Sequence, residues 1–328
     1  MAAATEQHLA ELVELGRIRP ADLERLLEEE IAEWLSLLNW DFRPSADLVR
    51  RFVGLGTLSG YALMENGRVV GYTYFLHEGR KGLVGDLYLL RGRRTVENEL
   101  LLLGAAVQDL FGTMGVERIE SQLMMLGSPA RAPLPFAEHL TAHPRNFMTF
   151  DMALVAGLKP ARSASKALID NWSSNREEDA AQVIAQAYER HIDGDVNDQY
   201  RSAGGARRFI TNIVQYPGCG SFYPPASLLA IDAWTGRACG VSLCSIVSPG
   251  AGHITQLCVV PRLKGKGLGY ELLRRSLLAL GEAGCRQASL TVTAANQNAV
   301  RLYERVGFRT SHTFTALVWE KQPDRLSC

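Results

Sequence analysis

The sequence has no cysteine pair spaced for a metal ribbon or a redox motif. Its six cysteines (219, 239, 244, 258, 285 and 328) are scattered, with no CxxC. That spacing excludes a disulfide framework and a clustered metal site, so the thiols read as small hydrophobes in a reducing cytoplasm. An excess of one charge is also missing, since 35 Lys and Arg balance 35 Asp and Glu. Nucleic-acid binders draw much of their affinity from neutralised phosphates, so no nucleic-acid partner is expected. No apolar run approaches the roughly 20 residues that cross a bilayer. The opening MAAATEQHLAELVEL lacks a basic start ahead of an apolar core, so neither a membrane segment nor a leader is expected. What is present, 47% hydrophobic and 21% charged residues in 328, fits a cytoplasmic globular protein of about two domains.

The chain carries an internal echo. YALMENGRVVGYTYFL at 61–76 and LLAIDAWTGRACGVSLCSI at 228–246 each read as strand, turn and strand, with Asn66-Gly67 a strong hairpin signal. DLYLLRGRRTVENELLLLGAAVQDL at 86–110 aligns without a gap with QLCVVPRLKGKGLGYELLRRSLLAL at 256–280, an offset of 170. Each is a short apolar strand, a basic loop and a helix-period segment. Strand-like VERIESQLMML at 116–126 and RQASLTVTA at 286–294 follow. Two copies of one α/β unit are expected, 1–157 and 168–328, joined by a linker at 158–167 where Pro, Ser and small residues collect.

In the second copy the patterns predict helices over 177–191, with Asn175 a plausible cap, and over 205–216. The hairpin follows, then strand 253–260, helix 267–280, strand 288–293, helix 299–305 and strand 313–320. Between strand and helix lies VVPRLKGKGLGY, 259–270, with glycines at 265, 267 and 269 and cations Arg262, Lys264 and Lys266. Glycine lets backbone N–H groups approach a ligand, and a helix N-terminus favours anions, so the loop suits phosphate. It is not a Walker loop, because no register supplies GxxxxGK[ST]. A dinucleotide fingerprint would need glycine where Tyr270 stands and an acid about twenty residues on, and 287–293 has none.

The second half resembles the GNAT superfamily of acyl-CoA-dependent N-acetyltransferases. Val-x-Pro at 259–261 precedes Lys264-Gly265-Lys266-Gly267-Leu268-Gly269, which matches the family's Q/R-x-x-G-x-G/A with Lys264 in the first place. NQNAVRLYERVGF at 296–308 matches its Asn-rich turn and Leu-Tyr-Glu-x-x-Gly-Phe helix. The resemblance covers about 168–322. It implies two tandem GNAT-like domains, each with a mixed, mostly antiparallel sheet flanked by helices. It implies acetyl-CoA as co-substrate, no metal, and transfer to a primary amine of a small molecule or protein by direct attack in a ternary complex. Backbone groups of Leu257, Cys258 and Val259 would pair with the pantetheine arm and the acetyl carbonyl. The N–H groups of Lys264–Gly269 would hold the pyrophosphate. Asn296 and Asn298 would bond the arm or cap the helix, and Tyr303 would protonate the departing thiolate. A non-catalytic acyl-CoA sensor is the alternative reading.

The general base is open between His253, Asp232 and a water path. HIDGDVND, 191–198, fails as a calcium loop because Asp198 takes the glycine position and Gly204 the glutamate position. It is expected to be a solvated loop in which Asp193, Asp195 or Asp198 attracts a cationic amine. In the first copy Thr95, Glu97 and Glu99 align with the three glycines, and a proline-punctuated stretch at 127–147 stands where the Asn-rich helix should be. That domain is expected not to bind CoA.

Overall fold

The computed structural model describes residues 10–127, 132–161 and 167–321. In chain order the elements are β1 (Glu11–Glu14), α1 (Pro20–Leu38), α2 (Arg43–Gly54), β2 (Gly60–Glu65), β3 (Arg68–Glu78), β4 (Lys81–Leu89), α3 (Val96–Gly112), β5 (Arg118–Gln122) and β6 (Leu140–Asp151). Then come β7 (Ala167–Asn171), α4 (Glu177–Tyr188), α5 (Ile192–Val196), α6 (Ala203–Gln215), β8 (Ser221–Phe222), β9 (Leu228–Asp232) and β10 (Ala238–Ser248). The series ends with β11 (Ala251–Val259), α7 (Leu268–Glu282), β12 (Gln287–Thr293), α8 (Gln297–Val306) and β13 (Arg309–Glu320). The Asn66-Gly67 turn between β2 and β3 has φ of 51° and 71°, the left-handed pair a tight hairpin requires. Among the described residues no helix is long and apolar enough to cross a membrane.

The chain forms two compact units. One takes its described residues from Met1–Leu35, Phe42–His143 and Phe314–Cys328, the other from Ser36–Asp41 and Pro144–Thr313. The N-terminal unit has a sheet ordered β1-β2-β3-β4-β5-β13, antiparallel except for β4 beside β5. The C-terminal unit has β6-β12-β11-β10-β9-β7, antiparallel except for β11 beside β12. These divisions differ from the halves of the sequence repeat. Residues 145–151 of β6, from the first repeat, close the second sheet against β12. Residues 316–320 of β13, from the second repeat, close the first sheet against β5. Apolar burial explains the placement: Phe147, Met148 and Phe150 are fully enclosed in one unit, Ala316, Leu317 and Trp319 in the other. The proline-rich pattern hid β6, since Pro144 removes one ladder donor. Of the expected linker, residues 162–166 lie outside the described residues.

In the C-terminal unit, α4 and α6 cover one part of the sheet through Ala180, Ile184 and Ile210 against Leu229, Val241 and Leu243. Helices α7 and α8 pack through Leu273, Leu277, Val300 and Val306 against Phe150, Ala288 and Leu290. The cap of α4 is Arg176, which makes no side-chain capping bond, so Asn175 does not take that role. Ser202 Oγ caps α6 by accepting the Gly205 N–H.

Candidate active site

The site grows out of the parallel pairing of β11 with β12 in the C-terminal unit. β11 pairs with β12 only from Ala251 to Ile254, opposite Gln287 to Leu290. Beyond that the strands separate, while β11 stays paired with β10 as far as Val259. A bulge drives the divergence: Leu243 and Cys244 face Gln256 and Ile254, leaving Thr255 extra. A bulge bends its strand and sharpens its twist. Leu257, Cys258 and Val259 therefore lie on a strand edge that β12 does not use.

The strand runs into a short turn, Pro261–Leu263, and then the glycine loop. Gly265 and Gly267 have φ of 75° and 83°, which side-chain-bearing residues rarely adopt. Gly267 is the N-cap of α7 and makes no side-chain hydrogen bond. The first-turn N–H groups of a helix have no intrahelical partner, so the loop and helix end present donors suited to a pyrophosphate. The three cations are used differently. Arg262 donates to Asp232 at 2.7 Å, and Lys264 Nζ donates to the Ala187 carbonyl at 3.0 Å, near the end of α4. Lys266 is exposed beside the loop.

Asp232 is thereby removed from the candidates for a base. The Arg262 hydrogen bond, with N–H bonds from Thr235 and Trp234, holds its carboxyl at about 2, so it is too weak a base to deprotonate an ammonium. His253 is equally unsuited. It is 6% exposed, its Nδ1 lies 2.9 Å from Ser289 Oγ, and Trp40 and Phe147 flank its ring. Burial alone lowers its pKa to about 3, so it stays neutral and weakly basic. This is a core histidine.

At the far end of the open edge several buried groups meet. Asp193 accepts from Thr293 Oγ1, the last residue of β12, at 2.5 Å and from Asn296 Nδ2 at 3.3 Å. Asn296 Oδ1 accepts the Ala299 N–H and so caps α8. Asn298 does not share that role: it is exposed and bonded to Arg301. Tyr303, on α8, is buried, and desolvation pushes its phenol well above 10, with Asp193 and Cys258 adding to the rise. Burial also pushes the Cys258 thiol up, which leaves it an inert wall group. Of the three aspartates in 191–198, Asp193 is the one bonded to Thr293 and Asn296. Asp195 is exposed and paired with Arg201 at 3.2 Å, and Asp198 opens a short 3-10 turn. The expected solvated loop is partly the helix α5, started by His191, whose Nδ1 accepts the Asp193 N–H.

Sequence reading missed three neighbours. Tyr188, at the end of α4, is half-buried, stacks on Tyr200 at 4.7 Å, and donates to Gln256 Oε1 at 2.8 Å. Gln256 sits inside β11 and is 5% exposed. Arg145, on β6 opposite Thr293, has a buried Nε with no partner among the described residues. Gln256 left a trace in the sequence, a polar residue within an apolar strand. Arg145 left none, because its strand was not legible.

Residues 196–308 match the family described as the Acetyltransferase (GNAT) family. This segment is a GNAT-family domain. N-alpha-acetyltransferase MAK3 of Arabidopsis thaliana is 37% identical over 57 residues, 17% of this chain and 30% of that protein. Mycothiol acetyltransferase of Mycobacteroides abscessus is 34% identical over 97 residues, 29% of this chain and 33% of that protein. The matches thus span about a third of these relatives' length. Among solved structures, a GCN5-related N-acetyltransferase from Sphaerobacter thermophilus superposes with a TM-score of 0.66 and 17% identity, over 95% of this chain and 96% of that one. A tandem GNAT protein from the clavulanic acid biosynthesis pathway gives 0.58 and 16% identity, over 96% of this chain and all of the other. At such identities these two show a shared fold. The fold is that of a tandem GNAT protein.

Proposed function

We propose that the chain is an acetyl-CoA-dependent N-acetyltransferase whose site lies in the C-terminal unit and whose acceptor is a primary amine. The observation that carries this reading is the separation of β11 from β12 directly ahead of the Gly267-capped helix. The family match at 196–308 supports it. Acetyl-CoA supplies an activated acyl thioester; the chain's own groups do the rest. The N–H groups of Lys264 and Lys266 already serve the Pro261 and Leu263 carbonyls, so those of Gly265, Gly267, Leu268 and Gly269, with the Lys266 side chain beside them, bind the pyrophosphate. The edge of Leu257, Cys258 and Val259 that β12 leaves holds the arm as a neighbouring strand would. The edge N–H nearest the carbonyl steadies the charge that develops on its oxygen.

An alkyl ammonium has a pKa of about 10, so it must lose a proton before it attacks. With Asp232 tied to Arg262 and His253 enclosed, that proton leaves through water. Asp193 draws the cationic amine toward the site and is steadied by Thr293 and Asn296. The amine nitrogen forms a bond to the carbonyl carbon, the carbon–sulfur bond breaks, and the nitrogen gives up its second proton to water, which returns a proton to Tyr303 as that phenol protonates the sulfur. Tyr303 stays protonated at neutral pH and offers its O–H to the departing sulfur. The new amide and the thiol are the products.

The N-terminal unit is proposed not to bind CoA. Thr95 Oγ1 caps α3 by accepting the Asn98 N–H, so the helix end is already served. Glu99 is buried and accepts the Gly127 N–H.

The test is calorimetric titration of the purified chain with acetyl-CoA, followed by free-thiol release against a panel of primary amines. Thiol release with any amine supports the proposal. Tight binding without turnover across the panel favours a sensor, and absence of binding overturns the assignment.

A further inference from the structure

Gln256 and the N–H that follows it hold an arrangement the reaction as described does not use. The Leu257 N–H donates to Gln256 Oε1 at 3.0 Å, and the Tyr188 hydroxyl donates to the same oxygen at 2.8 Å. The Leu257 N–H can only donate, so the carboxamide must turn its oxygen toward it and its Nε2 away. Nε2 is buried and has no hydrogen-bond partner among the described residues. A buried amide donor without an acceptor forfeits its hydration and gains no bond in return, so its persistence calls for an acceptor that arrives from outside the chain.

The position supplies one. Gln256 follows the bulge, two residues past the last residue of β11 that pairs with β12. The other half of the chain makes the contrast. Asp86, 170 residues earlier, accepts the Leu87 N–H at 2.8 Å on the equivalent strand and is bonded by Tyr72 at 2.9 Å. Both repeats fold a side-chain oxygen onto the next N–H. Only the repeat that keeps the loop glycines also has a side-chain N–H to offer.

Resting on the acetyltransferase reading, we infer that Gln256 is a catalytic residue: with Oε1 kept on the Leu257 N–H, it supplies Nε2–H to the thioester carbonyl oxygen as a second donor beside the edge N–H near Val259. Tyr188 is the positioning residue, holding Oε1 so that Nε2 faces the carbonyl. Two donors on one oxygen stabilise its developing charge more than one does. The arrangement also favours a ligand with an acyl carbonyl over free CoA, which lacks that carbonyl to meet Nε2.

The test compares dissociation constants of acetyl-CoA and of CoA, by calorimetry on the full chain, for wild type, Gln256→Met and Gln256→Glu. Methionine keeps length and removes the donor; glutamate keeps only acceptors. Wild type is expected to prefer acetyl-CoA, and both variants to lose about 10-fold of that preference with CoA affinity unchanged. Turnover should fall about 100-fold, the order seen when one such donor is removed. Should the methionine variant fail to fold, Tyr188→Phe is expected to narrow the same ratio several-fold and to lower kcat without raising the KM of the amine. An unchanged acetyl-CoA to CoA ratio in the variants overturns the role of Gln256 while leaving the acetyltransferase reading intact. A wild-type chain that binds neither ligand overturns both.

Discussion

Thr293 Oγ1 donates to Asp193 at 2.5 Å, joining the last residue of β12 to the first turn of α5 across 100 residues of sequence. The bond fixes one carboxylate of the acidic segment at the site, while Asp195 turns to Arg201. Asp193→Asn is therefore expected to raise the KM of cationic amines about 10-fold, with the affinity for acetyl-CoA unchanged. Asp195→Asn should change neither. Steady-state kinetics with one cationic and one neutral acceptor decide the matter, and equal effects on both acceptors would remove Asp193 from substrate attraction.

Gly267→Glu should abolish CoA binding. The new carboxylate stands at the helix end meant for an anion, and the φ of 83° costs a side-chain-bearing residue about 1–2 kcal/mol. Calorimetry with CoA reads the binding and a thermal melt reads the strain. Retained affinity would contradict the pyrophosphate role of the loop.

Tyr303→Phe should lower kcat by about 10- to 100-fold and leave the KM for acetyl-CoA within about twofold, since the phenol is needed at the departing sulfur. A variant with wild-type turnover would leave Tyr303 as packing against Phe308, whose ring centroid lies 5.8 Å away.

The N-terminal unit carries a pH prediction. Glu30 and Asp86 share the Tyr72 hydroxyl at 2.9 Å each. Burial and the neighbouring Asp86 carboxyl raise Glu30 well above the ordinary carboxyl range, and burial raises Asp86. A carboxyl raised in the folded state binds its proton more tightly there than in the unfolded chain. Its stabilising effect is complete below the unfolded value and is lost as pH climbs through the folded one. Glu30→Gln, neutral at every pH, should raise the melting temperature by about 2–4 °C at pH 8 and by less at pH 5. A gain confined to pH 5 would reverse the sign.

Much of this was legible in the sequence, and the exceptions have physical causes. The glycine loop, the Leu-Tyr-Glu helix and the duplicated hairpins depend on local backbone demands, which short segments record. Asn296 was readable as a cap, but not its second bond to Asp193, because that contact joins residues 103 apart. His253 and Asp232 were candidates because composition shows a titratable group and not its surroundings; one proved buried between aromatic rings, the other locked to a guanidinium. The exchange of the last strands was invisible, since β6 holds Pro144 and both pairings are distant in sequence.

That exchange has a consequence for synthesis. β13 leaves the ribosome roughly 190 residues after β5, the strand it completes, so the first sheet waits through the making of the second with one edge unpaired. An exposed edge invites pairing with other chains. The nascent protein thus passes through a long interval in which chaperone protection matters more than for a protein folded repeat by repeat. Fragments cut at 158–167 would each lack a closing strand. Expressed apart they should aggregate, and co-expressed they should recover a soluble pair.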